Sequence, residues 1–297
     1  MAKSLKKLGK MTVRDFFARF PDDDACLTHV MEVRYGLRHE CRKCGADSSF
    51  HKLADRRAFS CANCGDHVYP CAGTIFQDSR TPLQVWFYAI YLFVTTRHGV
   101  SGKELERTLG VTYKTAWRMG QQIRTLMAKA DGFEVMKGHV EIDETYVGGK
   151  RKGKRGRGAA GKTIVLGLKE RGGRMAAEVI PDATLNTLKE ATERHVERGS
   201  IVTTDEFGSY ALLRSAGYRH GSVKHSDKEW SYYDRSFKVH RNTNSVESFW
   251  KIFKTSIRST HIHVSPKYMD RYLKEFTFRA NHREMQNAMF DLLIAAV

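Results

Sequence analysis

The chain has 297 residues, 41% of them hydrophobic, with a formal net charge of +17 and an isoelectric point near 9.7. That apolar content excludes global disorder and the length suits about two domains, while the charge excess points to nucleic acid or an anionic membrane surface. The longest apolar run, Pro82 to Thr96, is too short to span a bilayer comfortably, and the basic start MAKSLKKLGK lacks the apolar stretch of a secretion signal, so a cytoplasmic, nucleoid-associated protein with no membrane partner is expected.

Residues 1–37 read as a helical segment. Thr12 is placed to cap a helix carrying Phe16, Phe17 and Phe20, which Pro21 stops. Asp22, Asp23 and Asp24 suit the start of a second helix, with Cys26, Val30 and Val33 along it. Residues 38–72 then hold Cys41-x-x-Cys44-Gly45 and Cys61-x-x-Cys64-Gly65. Each turn aims two thiolates at one point and its glycine permits the tight bend. Four thiolates complete a tetrahedral Zn²⁺ site, with short strands between them forming a zinc ribbon. A disulfide framework suits a cytoplasmic chain poorly, and a redox motif would need no second copy. Cys26 and Cys71 read as ordinary buried thiols, and His51 and His67 as flanking residues rather than ligands.

Residues 80–131 are helical in pattern. Trp86, Ile90, Phe93 and Val94 form one apolar stripe, and His98-Gly99 ends that helix. A short helix with Leu105 and Leu109, a turn at Gly110 and a cap at Thr112 then have helix-turn-helix spacing. The second of these helices would expose Tyr113, Lys114, Arg118 and Gln121 to phosphates and base edges. A plain helical hairpin packed on its neighbours is the alternative.

From residue 136 to 297 the class changes to α/β. Val140 and Ile142 alternate with Glu141 and Asp143; Lys162–Leu168 and Met175–Ile180 are strand-like; Ala183–His195 is an amphipathic helix. Ser200–Asp205 is a short apolar strand ending in a carboxylate, Tyr210–Ala216 a short helix and Tyr218–Lys224 a strand. Three strands, helix, strand, helix, strand is the order of a ribonuclease H-like mixed sheet. Residues 225–240 show no clear period, helices follow at Asn244–Lys254 and Pro266–Asn281, and the apolar tail from Met285 packs back on the core.

The string Gly156-x-x-x-x-Gly161-Lys162-Thr163 matches a phosphate-binding loop, which would make the chain a P-loop ATPase. Such a loop needs a hydrophobic strand before it and a helix opening at Lys-Thr. Here KRKGKR precedes it and the strand-like Ile-Val-Leu follows, so the match is compositional. Lys150, Arg151, Lys152, Lys154, Arg155 and Arg157 instead read as a basic hairpin gripping DNA phosphates, or as a solvated tip.

The carboxylates use more of the chain. Asp143 ends the first strand of the sheet, Asp205 the fourth, and Glu247 lies one turn into a later helix. First and fourth strands are neighbours in a ribonuclease H-like sheet, so the three acids can meet and hold two Mg²⁺ ions about 4 Å apart for phosphodiester displacement. Each acid has a local alternative as a loop or cap residue, and Glu247 as the capping-box partner of Asn244. Lys254, seven residues beyond Glu247, shares its helix face and can hold a phosphate.

Together the paired Cys-x-x-Cys, the Leu-Gly-Val-Thr-Tyr-Lys-Thr-Ala-Trp-Arg segment from Leu109, Ile142-Asp-Glu-Thr-Tyr-Val-Gly-Gly149, Thr204-Asp-Glu206, Asn244-Ser-Val-Glu-Ser-Phe-Trp-Lys251 and Arg271-Tyr-Leu-Lys-Glu-Phe276 resemble the bacterial insertion-sequence transposases with an N-terminal zinc ribbon. These are members of the DDE superfamily related to Merlin elements, and the resemblance runs over nearly the whole chain. It implies Asp143 and Asp205 as ligands of Mg²⁺ or Mn²⁺, a third ligand from the Asn244–Glu247 turn with Glu247 ranked before Asn244, and Lys254 as partner lysine ahead of Lys251. It further implies cleavage of element ends and joining of the 3′-hydroxyl to target double-stranded DNA, by a homo-oligomer on DNA. A zinc-ribbon regulator that binds DNA without cutting it would share the N-terminal features.

Overall fold

The computed structural model describes residues 11–148, 162–285 and 288–297. These form two compact units, 1–130 with 282–297, and 131–281.

In the first unit α1 (Val13–Arg19) starts at Thr12, whose hydroxyl accepts from the Asp15 amide while Asp15 reaches back to the Thr12 backbone. The Asp22 carboxylate caps α2 (Asp23–Arg34) by accepting from the Ala25 amide at 2.8 Å. Four antiparallel strands follow in sequence order: β1 (Arg38–Glu40), β2 (Asp47–Lys52), β3 (Phe59–Cys61) and β4 (His67–Val68). The apolar stripe folds as α3 (Leu83–Thr95), burying Trp86, Ile90, Phe93 and Val94, and it ends three residues before His98. Ser101 caps α4 (Gly102–Leu109), Gly110 turns the chain at φ 65°, and α5 runs Tyr113–Asp131. The last helix, Ala288–Ala295, belongs to this unit and not to a 136–297 domain. The reason is aromatic packing. Phe290 sits 5.5 Å from Phe20 and 5.8 Å from Phe87 between ring centroids, and Asp291 pairs with Arg19 at 2.7 Å.

The second unit is built on a five-stranded sheet. Its strands are β5 (His139–Val147), β6 (Thr163–Glu170), β7 (Met175–Ile180), β8 (Ile201–Asp205) and β9 (Arg219–Val223), in the order β7-β6-β5-β8-β9. β5, β6 and β7 form an antiparallel meander, whereas β8 runs parallel to both β5 and β9. The crossover from β7 to β8 carries α6 (Leu185–His195), capped by Thr184. The helix expected at Tyr210–Ala216 is a 3₁₀ turn over Gly208–Leu213. The aperiodic stretch holds a small hairpin, β10 (Tyr232–Asp234) with β11 (Val239–Arg241). Then come α7 (Asn244–Ser256), a π-turn at Ile257–His261 and α8 (Met269–Asn281).

Strand alternation gives the sheet two buried faces. Val140, Ile142, Leu166 and Leu168 pack toward α6 and Tyr210, while Val147, Val165, Met175 and Ala177 pack toward α7 and α8. α7 lies unusually close. A Cβ on Gly167 would meet Trp250 at 2.5 Å, so only glycine lets that ring seat on β6. Gly167 is also the cross-strand partner of Asp143.

Candidate active site and metal centres

The four cysteines converge as their spacing predicts. Cys41, Cys44, Cys61 and Cys64 place their sulfurs within 4.8 Å of one another, the one group of metal-ligating side chains this tight among the described residues. Each Cys-x-x-Cys closes by a bond from the glycine amide to the first cysteine carbonyl, Gly45 to Cys41 at 2.8 Å and Gly65 to Cys61 at 2.9 Å. Both glycines hold positive φ, 69° and 74°. This set of soft donors fits Zn²⁺. His51 and His67 are exposed and outside the cluster.

Asp143 stands in the middle of β5 rather than at its end, because the strand continues to Val147 along β6. Parallel pairing sets Glu141 opposite Thr203; carried two residues on, that register brings Asp143 level with Asp205, the last residue of β8. The sheet face they share is the one α7 covers. There the Asp143 carboxyl is pushed up to about 8, by burial first and then by the Glu144, Asp205 and Glu247 carboxylates, against the pull of the Lys254 ammonium. Burial holds Lys254 below the usual lysine range, with Arg258 and Lys162 adding to the shift and Asp143 opposing it. The structure thus brings Asp143, Asp205, Glu247 and Lys254 into one electrostatic cluster, but the acids do not close to the 4.8 Å of the cysteine site. Hard oxygen donors with excess negative charge fit a divalent cation of the Mg²⁺ type.

Glu247 is not the capping partner of Asn244. Its Oε1 accepts from the Thr243 hydroxyl at 2.5 Å and lies 3.8 Å from His225 Nε2. Asn244 is exposed at the first position of the helix. The cap comes from across the sheet. Glu141, 1% exposed, accepts from the Ser245 amide at 2.8 Å, the Ser245 hydroxyl at 3.1 Å and the Val246 amide at 3.3 Å. Arg171 donates to the same carboxylate at 3.0 Å and also reaches the carbonyls of His240 and Asn242. A carboxylate two residues from Asp143 on the same strand face therefore fixes the start of the helix that carries Glu247. Sequence reasoning passed over Glu141, though the two-residue alternation along Glu141-Ile142-Asp143 was its available signal.

Arg241 was also missed. Fully buried, it donates to Asp234 at 2.7 Å, the Val202 carbonyl at 2.8 Å and the Arg219 carbonyl at 3.1 Å, tying the β10–β11 hairpin to β8 and β9. Gly221 makes room for it, since a Cβ there would lie 2.7 Å from the guanidinium.

On α5, Tyr113, Lys114 and Arg118 are exposed as expected. Gln121 is not: it is 2% exposed, because from Met119 onward the helix is buried nearly all round. Lys103 sits 4.8 Å above the Tyr113 ring. Lys150, Arg151, Lys152, Lys154, Arg155 and Arg157 lie outside the described residues. Where the glycine-rich string ends, Thr163 opens strand β6, not the helix a phosphate-binding loop requires. No helix among the described residues is long and apolar enough to cross a membrane.

Comparison with known proteins agrees with this division. Residues 135–281 match the ISXO2-like transposase domain, and residues 21–67 match the transposase zinc-ribbon domain. A protein described as an uncharacterized protein in transposable element ISH50, from Halobacterium salinarum, is 30% identical over 271 residues, covering 84% of this chain and 88% of that one. An uncharacterized transposase-like protein from Haemophilus influenzae is 27% identical over 109 residues, 37% of this chain and 82% of its own length. The chain belongs to the insertion-sequence transposases that carry an N-terminal zinc ribbon.

Proposed function

We propose that this transposase cuts the ends of its own element and joins the freed 3′-hydroxyl to target DNA, with Asp143, Asp205 and Glu247 as the catalytic carboxylates. The observation that carries this is the clustering of these three acids with Lys254 on the face of the sheet under α7. The β7-β6-β5-β8-β9 order supports a ribonuclease H-like domain, in which adjacent parallel strands present two acids at one level.

Asp143, Asp205 and Glu247 would hold Mg²⁺ or Mn²⁺, with Asn244, a turn away on the same helix, as the alternative third ligand. When bound, the ions supply charge neutralisation at the phosphodiester and activation of the attacking oxygen. The chain's own residues do the rest. Glu141 and Gly167 set the position of α7, and so of Glu247. Thr243 and His225 orient the Glu247 carboxylate. Lys254 neutralises a phosphate oxygen beside the acids. Water attacks the phosphorus in the first step and the 3′-hydroxyl leaves; that hydroxyl then attacks a target phosphodiester, giving up its proton as the target strand's 3′-oxygen is displaced and protonated, so no covalent enzyme intermediate is needed.

Cys41, Cys44, Cys61 and Cys64 would hold structural Zn²⁺. The α4–α5 pair, with its left-handed Gly110 turn and exposed Tyr113, Lys114 and Arg118, serves as a helix-turn-helix on the terminal repeats.

The test is strand transfer of labelled element ends with Mg²⁺ or Mn²⁺. Asp143→Asn and Asp205→Asn should each lower joining by at least about a hundredfold, a loss of several kcal/mol of transition-state stabilisation. Glu247→Gln should do the same and Asn244→Ala far less. Joining retained in either aspartate variant sinks the carboxylate reading, and no joining by the wild type leaves a DNA-binding protein without this chemistry.

A further inference from the structure

Beside the acidic cluster lies a cavity of about 430 Å³, within the range of about 300–1,000 Å³ usual for small-ligand sites. Its walls come from the end of β5, the start of β6, the end of α7 and the π-turn with the residues after it. The lining has two halves of opposite character. Lys162, Lys254 and Arg258 supply three cations from three different segments, and Ile257, Ile262 and Val264 supply an apolar wall.

We infer that this cavity holds one unstacked nucleotide of a DNA strand, its phosphate on Lys162, Lys254 and Arg258 and its base against the apolar wall. The inference rests on the proposed DNA chemistry, which it extends to a specific subsite. Lys254 joins the two, because the same ammonium lines the cavity and acts on Asp143.

Three observations carry it. Cations that converge without acids repel one another, and among the described residues that line this cavity there is no Asp or Glu. A phosphate relieves that repulsion. The wall, secondly, is strained: Ile262, a β-branched residue, sits at φ 62°, at a cost on the order of 1–3 kcal/mol. It follows a π-turn, a rare geometry that tends to mark functional sites. Ile262 is 77% exposed at the cavity rim, where it presents apolar surface to an incoming group and not to the core. The concavity, thirdly, separates this site from a plain phosphate grip. A stacked duplex can lay its backbone on the cations, but only an unstacked base can enter between them and the wall.

The experiment uses full-length, zinc-loaded protein and two fluorescent probes, 5′-phosphorylated pentathymidylate and a blunt 20-base-pair duplex. Lys162→Gln/Arg258→Gln should weaken pentathymidylate about tenfold and the duplex about threefold or less. Ile262→Asn removes the apolar contact at an exposed position, in a tight turn closed by the His263 amide on the His261 carbonyl. It should weaken pentathymidylate about threefold to tenfold, leave the duplex unchanged and change thermal stability little, because the side chain is exposed. Thymidine 5′-monophosphate should displace pentathymidylate at a concentration about tenfold below that of inorganic phosphate. Equal losses on both probes, no effect of Ile262→Asn, or equal displacement by inorganic phosphate would each overturn the subsite. Asp143→Asn should abolish joining while pentathymidylate binding persists. Joining retained there would sink the catalytic reading instead, with the binding comparisons still deciding the subsite.

Discussion

The cysteine cluster and the proposed carboxylate site of this molecule are built on opposite plans. The cysteine cluster draws all its ligands from residues 41 to 64, in two turns that each close on their own backbone. The carboxylate cluster draws Asp143, Asp205 and Glu247 from two strands and a helix spread over more than a hundred residues, and the three do not all come within the 4.8 Å that holds the cysteines. A local site can complete itself because two short loops aim their side chains whatever the rest of the chain does. A site assembled from distant segments exists only as well as its scaffold is held, and here the holding falls to Glu141, Gly167 and Arg241. The first kind serves stability; in the second, on the proposed function, repulsion among the acids is what a cation and a phosphate would relieve.

This contrast can be broken at either end. Removing zinc should have the largest effect, since structural zinc contributes on the order of 10 kcal/mol or more in small domains. Cys41→Ser, or a chelator, should unfold residues 38–72, seen as rapid proteolysis within that stretch and loss of bound zinc by metal analysis. The carboxylate region should keep its own melting transition.

Glu141→Ala should come next. It leaves the Arg171 guanidinium short of its buried partner and the first amides of α7 without an acceptor, costing about 3–5 kcal/mol in chemical denaturation. Gly167→Ala is milder for the fold, about 1–3 kcal/mol, because Trp250 has to shift to admit one methyl group. Its effect on joining should exceed its effect on stability, since α7 carries Glu247 with it. If Gly167→Ala joins DNA at the wild-type rate, the placement of α7 is not what sets the geometry of the acids.

The smallest effect should be the one at Asp143 without cation. Its folded value near 8 lies above the unfolded carboxylate value of about 4. Its contribution to stability is therefore fully present below about pH 4 and is lost as the pH rises through about 8. Metal-free wild type should lose a few degrees of melting temperature between pH 5 and 8.5, and Asp143→Asn should lose less. Mg²⁺ should restore the wild type at pH 8 and do little for the variant. Matching pH profiles in the two proteins would show that the carboxylates do not repel as the structure has them.

Much of the fold was legible from residues alone. The strands after residue 138 announced themselves by two-residue alternation and β-branched runs, and the first helix by Thr12 at its start. What escaped was whatever depended on a partner far along the chain. Residues 232–241 form a hairpin with no apolar period, because a buried arginine and not a hydrophobic face anchors it. The last helix joins the first unit through rings that sit beyond residue 80 or before residue 21 in sequence. Gln121 looks exposed on a helical wheel, and only the neighbours packed around α5 bury it.

The sequence by itself determined the cysteine cluster, the identities of the candidate acids and the family, because short spacings and motif strings carry these without reference to a fold. The tertiary structure alone decided that Asp143 sits mid-strand level with Asp205, that Glu141 caps the helix bearing Glu247, and that Lys254 faces both the acids and a basic cavity. Those relations depend on strand register and on how closely a helix can approach a sheet. Both are set by packing between residues that the sequence keeps far apart.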